Sequence, residues 1–157
     1  MKTIYSQQSL ADLGNHSIFL AGPTPRDAVT KSWRPVANIL LQGLGYTGAI
    51  ITPEHEVRIP FDYDSQTEWE HEGLTKAKVI IFWVPRELKT MPAFTTNVEF
   101  GRFAHQPNCL YGRPDESPKN RYLDWYYKKV NTHPIYNNLH DLLKAALELY
   151  NETSCCI

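Results

Sequence analysis

Little in this chain of 157 residues points to a redox scaffold, a membrane span or a nucleic-acid surface. It holds three cysteines. Cys155 and Cys156 are adjacent and lack the spacing of a zinc site or a CxxC motif. Cys109 sits in an apolar run and reads as a small core residue. The formal net charge of -1, with Lys and Arg scattered, removes the electrostatic case for DNA, RNA or an anionic membrane. The longest apolar run is too short to cross a bilayer and no signal-like segment opens the chain, so a reducing, cytoplasmic setting is expected. The six histidines (His16, His55, His71, His105, His133, His140) show no HxxxH or HxH clustering, so no metal is expected. GxGxxG, a Walker loop and a GxSxG elbow are all missing. Neither dinucleotide nor triphosphate binding follows, and no cofactor is implied.

What is present is one ordinary globular domain, with a hydrophobic fraction of 42% and a charged fraction of 21%. Apolar runs rich in Val, Ile and aromatics alternate with helical periodicities. Ser17–Ala21, Ala49–Thr52, 78–84 and Asn108–Tyr111 read as strands. Helices are expected over Ser32–Leu44, Gln66–Lys76, from Thr95 or Thr96 to about Ala104, Arg121–Lys129 and Asn137–Tyr150. Residues 54–65 read as a polar loop, and the first sixteen as an extra edge element or arm. The alternation predicts an α/β, flavodoxin- or Rossmann-like three-layer sandwich with a parallel sheet of about five strands. Strand 79–84, apolar on both faces, belongs in the sheet interior.

The candidate chemistry sits at strand ends. The loop Gly22-Pro23-Thr24-Pro25-Arg26 follows the first of these strands, where doubly wound folds touch ligands. Gly22 permits close backbone approach, while Thr24 and Arg26 supply donors; the plain alternative is a proline-stiffened turn. Thr95-Thr96-Asn97-Val98-Glu99-Phe100-Gly101 follows the central strand. Glu99 in the first turn of a helix is either a carboxylate within reach of substrate or the glutamate of a capping box begun by Thr96. Glu68 and Glu72 share a helix face and read as solvated. Glu70, on another face beside Trp69, differs only if that face turns toward the crevice, where a carboxyl with an aromatic wall suits a flat heterocycle. Two carboxyls meeting at a crevice, Glu99 and Glu70, suit glycosidic-bond chemistry.

In these motifs the chain resembles the nucleoside 2-deoxyribosyltransferase-like superfamily, in its branch of small single-domain proteins. The matching pieces are Phe19-Leu20-Ala21-Gly22-Pro23-Thr24-Pro25, Trp33-Arg34, Trp69-Glu70, Ile80-Ile81-Phe82-Trp83-Val84-Pro85, Thr95 to Gly101, and Tyr111-Gly112-Arg113-Pro114. The resemblance implies a flavodoxin-like fold, a homo-oligomer, and a nucleoside or nucleotide as small-molecule partner. It also implies that Glu99 is the nucleophile that takes the (deoxy)ribosyl group, and that Glu70 contacts the base. Gly22, Pro23, Thr24 and Arg26 then line the substrate site, with Trp69 and Asn97 as further substrate contacts. Two departures stand out. The loop Thr90-Met91-Pro92-Ala93-Phe94 lacks the aspartate that precedes the nucleophile in the transferases, and Cys155-Cys156-Ile157 replaces their chain-end tyrosine. The function expected is cleavage of an N-glycosidic bond, as transferase or hydrolase. The alternative is a non-catalytic nucleotide sensor on the same scaffold.

Overall fold

The computed structural model describes residues 1–11, 13, 16–56 and 62–152. Cys155 and Cys156 lie outside them, as do residues 57–61 of the polar loop. The elements run β1 (Lys2–Ile4), β2 (Ser17–Ala21), α1 (Arg34–Gly43), β3 (Ala49–Ile51), α2 (Tyr63–Lys76) and β4 (Val79–Trp83). Then follow α3 (Phe94–Phe103), β5 (Cys109–Gly112), α4 (Arg121–Val130), β6 (Ile135–Tyr136) and α5 (Leu139–Glu152).

Every strand pairing is parallel, in the order β1-β3-β2-β4-β5-β6. The protein is thus the expected α/β three-layer fold, with six strands among the described residues rather than about five. The additions are edge strands: β1, three residues from the amino-terminal segment, and β6, two residues long. Runs so short carry no legible period. β4 lies between β2 and β5, inside the sheet.

Alternation along the strands separates two cores. Phe19, Ala21, Ile80, Phe82 and Tyr111 pack with Trp69 and Leu74 of α2, Phe100 and Phe103 of α3, and Leu123 and Tyr127 of α4. Ile18, Leu20, Val79, Ile81 and Leu110 pack on the other face with Ala37 and Leu41 of α1 and with Leu142, Leu143 and Ala146 of α5. Cys109 is buried, and burial pushes its thiol pKa up.

Several helix ends differ from expectation for local reasons. α2 begins three residues before Gln66, because Asp62 caps it by accepting from the Ser65 N–H at 2.8 Å. α5 begins after Asn138, whose side chain accepts from the Asp141 N–H at 2.8 Å. The consequential correction is α3. It starts at Phe94, not at a threonine cap; its N-cap is Ala93 at φ 62°, ψ 37°, with no side-chain cap bond. Glu99 therefore lies in the second turn, beyond the position a capping box requires.

From β2 the sheet extends to β3 on one side and to β4 on the other. The carboxyl ends of β2 and β4 thus form the switch point at which open α/β sheets leave a crevice.

Candidate active site

A cavity of about 190 Å³ opens there. Its floor comes from Phe19, Ala21 and the Gly22–Thr24 turn, and its sides from α2 and from the start of α3. Glu70 and Glu99 both line it, as do Gly22, Pro23, Thr24 and Arg26. Two other expected contacts lie elsewhere. Trp69 is buried in the core under α2, with its indole N–H donating to the Gln8 carbonyl at 2.8 Å. Asn97 faces away from the cavity lining and accepts from Arg86 at 2.6 Å. The exposed aromatic groups at the cavity are instead Tyr63 and Phe94, 68% and 66% exposed. The Arg26 guanidinium sits 5.1 Å from the Phe94 ring centroid.

The turn after β2 is shaped from below. Gly22 adopts φ 144°, and a Cβ there would lie 2.1 Å from the Trp83 carbonyl oxygen, so only glycine lets the ends of β2 and β4 approach. Arg34, 1% exposed at the first turn of α1, holds the turn from its underside. Its Nε donates to the Leu20 carbonyl at 3.0 Å and its Nη2 to the Gly22 carbonyl at 2.7 Å. Its Nη1 donates to Thr24 Oγ1 at 3.0 Å and to Glu54 Oε1 at 2.8 Å. Trp33 adds an indole donor to the Pro23 carbonyl at 3.2 Å. A buried guanidinium is tolerated because carbonyls and a carboxylate occupy its donors. Burial still lowers its pKa, against the pull of Glu54 and, at longer range, of Glu70 and Glu99.

The two cavity carboxyls are set differently. Gln66, one helical turn before Glu70, donates from its amide nitrogen to Glu70 Oε1 at 2.5 Å and to the Pro53 carbonyl at 3.1 Å. Its amide oxygen accepts from Ser6 Oγ, which fixes the amide's orientation. Glu99 is pushed up to about 8, first by burial, then by the charge of Glu70 and a hydrogen bond with it; Arg34 opposes the shift. At neutral pH the Glu99–Glu70 pair therefore holds a proton.

Glu54, Gln66, Tyr63 and Phe94 are not marked as site residues by the sequence reading, and Arg34 enters it only within the Trp33-Arg34 piece of the resemblance, with no role attached. Gln66 was within reach of it, because its i, i+4 relation to Glu70 puts both on one helix face. Arg34 and Glu54 meet only through the fold.

The model of the nucleoside 2-deoxyribosyltransferase-like family matches residues 15–116. The chain belongs to that family. The matched segment of this nucleoside 2-deoxyribosyltransferase-like protein contains the Gly22 turn, Arg34, Glu54, Glu70 and Glu99, whereas α4, β6 and α5 follow it. Nucleoside deoxyribosyltransferase-like function, with a nucleoside as the small-molecule ligand, goes with membership. No curated protein matches the chain. No helix among the described residues is long and apolar enough to cross a membrane.

Proposed function

We propose that the protein cleaves the N-glycosidic bond of a nucleoside or nucleotide through a covalent glutamyl-sugar ester on Glu99. The observation that carries the reading is the meeting of two carboxyls, Glu70 and Glu99, in the crevice beyond β2 and β4, with Glu99 pushed toward its protonated form by burial and by Glu70. Each half of the chemistry uses one proton, given up in the first and regained in the second. Passed across to Glu70, it goes to a ring nitrogen of the departing base and leaves Glu99 ionised. A Glu99 oxygen then bonds to the anomeric carbon as the carbon–nitrogen bond breaks, through an oxocarbenium-like transition state. In the second half a nitrogen of an acceptor base, or a water oxygen, attacks the same carbon. Glu70 takes the acceptor's proton and Glu99 departs as carboxylate. Gln66 keeps Glu70 aimed, Arg34 keeps the Gly22–Thr24 turn in place, and Tyr63 and Phe94 supply faces for a flat base.

The test is chromatography of nucleosides and nucleotides incubated with the protein, with and without an added base. Free or exchanged base is expected. Glu99→Gln keeps the side chain's size and is expected to fold and to lose ~10⁴-fold or more in turnover. Equal turnover by wild type and Glu99→Gln removes Glu99 from the mechanism. The second reading, a nucleotide sensor, is favoured by one feature: Pro92, Ala93 and Phe94, none of them an acid, line the cavity beside the start of α3. A sensor binds the same compounds and releases no base.

A further inference from the structure

Arg86 and Asn97 stand outside the mechanism above, and Arg86 is in an unusual place for a cation. It follows β4, is 8% exposed, and has no carboxylate within ion-pair distance among the described residues. Its Nε is buried without a hydrogen-bond partner. Burial lowers its pKa. An apolar side chain of similar volume commonly serves stability as well as a buried charge does. What the guanidinium adds is direction. Its Nη2 donates to Asn97 Oδ1 on α3 at 2.6 Å. Its own backbone is anchored, because the Arg86 N–H donates to Ser117 Oγ at 2.8 Å, and that hydroxyl donates to the Val84 carbonyl at 2.8 Å.

Asn97 precedes Glu99 by two residues, so the two side chains leave α3 on roughly opposite sides, about 200° apart. Glu99 lines the cavity; Asn97 is gripped from the end of β4. The amino end of α3 has no side-chain cap of its own, and Ala93 before it is left-handed. Beyond the packing of Thr96, Phe100 and Phe103 on the core side, no side-chain cap fixes how its first turn is rotated.

We infer that Arg86 and Asn97 form a positioning pair that sets the rotation of α3 and thereby where the Glu99 carboxyl meets Glu70. The inference rests on the reading of Glu99 as nucleophile, and it assigns Asn97 to the helix rather than to the substrate. The groups that face Glu99 are Glu70 from α2 and Arg34 from α1, and neither changes when Asn97 or Arg86 is replaced.

The experiment compares Asn97→Leu, Asn97→Asp, Arg86→Met and the Asn97→Leu/Arg86→Met double variant, each checked for fold by circular dichroism. Asn97→Leu and Arg86→Met are expected to lower kcat ~10- to 100-fold with KM changed less than ~3-fold, the cost of a misplaced reacting group. The double variant should lose no more than the worse single one. Asn97→Asp, which still offers an oxygen to the guanidinium, should recover most of the loss. Should Asn97→Leu fail to fold, Asn97→Ser, too short to reach Arg86, takes its place. Losses that multiply in the double variant, or an Asn97→Leu effect on KM alone, overturn the pair. A second readout needs no turnover: carbon-13 NMR titration of the glutamate carboxyls, with Glu99 assigned through Glu99→Gln. Glu99 should titrate near pH 8 in wild type, and measurably lower in Asn97→Leu as it moves off Glu70. If wild type releases no base but this shift occurs, the proposed activity fails and the positioning pair stands; an unmoved titration overturns the pair.

Discussion

Removing the ionisable group at Glu99 should change how stability depends on pH, in a window and a direction that the structure sets. The Glu99 carboxyl has an ordinary value of 4.5 and is pushed up to about 8 in the fold. The folded state therefore holds this proton more tightly than the unfolded chain. Stability from it is fully present below about pH 4.5 and is lost as pH rises through about 8. A difference of about 3.5 units at roughly 1.4 kcal/mol each sets a ceiling of roughly 5 kcal/mol. Because the cavity opens to water, less than half of that, roughly 2 kcal/mol, is expected. For a chain of this size that corresponds to a fall in Tm of roughly 4–8 °C between pH 5 and 8.5. Thermal melts of wild type and Glu99→Gln at half-unit pH steps measure it. The difference between the two curves is the quantity of interest, since every other ionisable group is common to both proteins. The lowered carboxyls of Asp27, Asp62, Glu87 and Asp141 act at lower pH, with the opposite slope, and also cancel. Glu99→Gln should flatten the decline and be the more stable protein at pH 8.5. Parallel curves across the window would mean that Glu99 ionises freely, and the shared proton would be lost with it.

Two further outcomes follow from the same geometry. Glu70→Gln should cost most with poorly departing bases, which need the most proton donation, and should abolish the fall of kcat/KM above about pH 8 expected of wild type; an equal loss for all bases would make Glu70 a binding group only. Gly22→Ala should destabilise by about 3 kcal/mol or more in urea titration, through the left-handed φ and the contact with the Trp83 carbonyl. A loss below about 1 kcal/mol would mean the turn can relax away from β4.

The sequence by itself determined the layers. Apolar runs such as 79–84 are hydrophobic on both faces because both faces are covered, and that requirement reads directly as a parallel sheet. The helical stripes on α1, α4 and α5 are likewise local consequences of burying one side. Helix ends were less legible, because a left-handed alanine began α3 and Asp62 extended α2. Of the candidate site, the turn and the two glutamates, which line one cavity, were legible in sequence motifs, and the groups around them were not. Trp69 carries no sign that α2 buries it, and Asn97 none that Arg86 reaches it from β4. Arg34 and Glu54 are twenty residues apart and meet at 2.8 Å only because β2 and β3 pair. Pattern encodes which face an element buries. Which polar groups then meet, and which carboxyl must keep its proton, is decided only when separate elements close on one desolvated space.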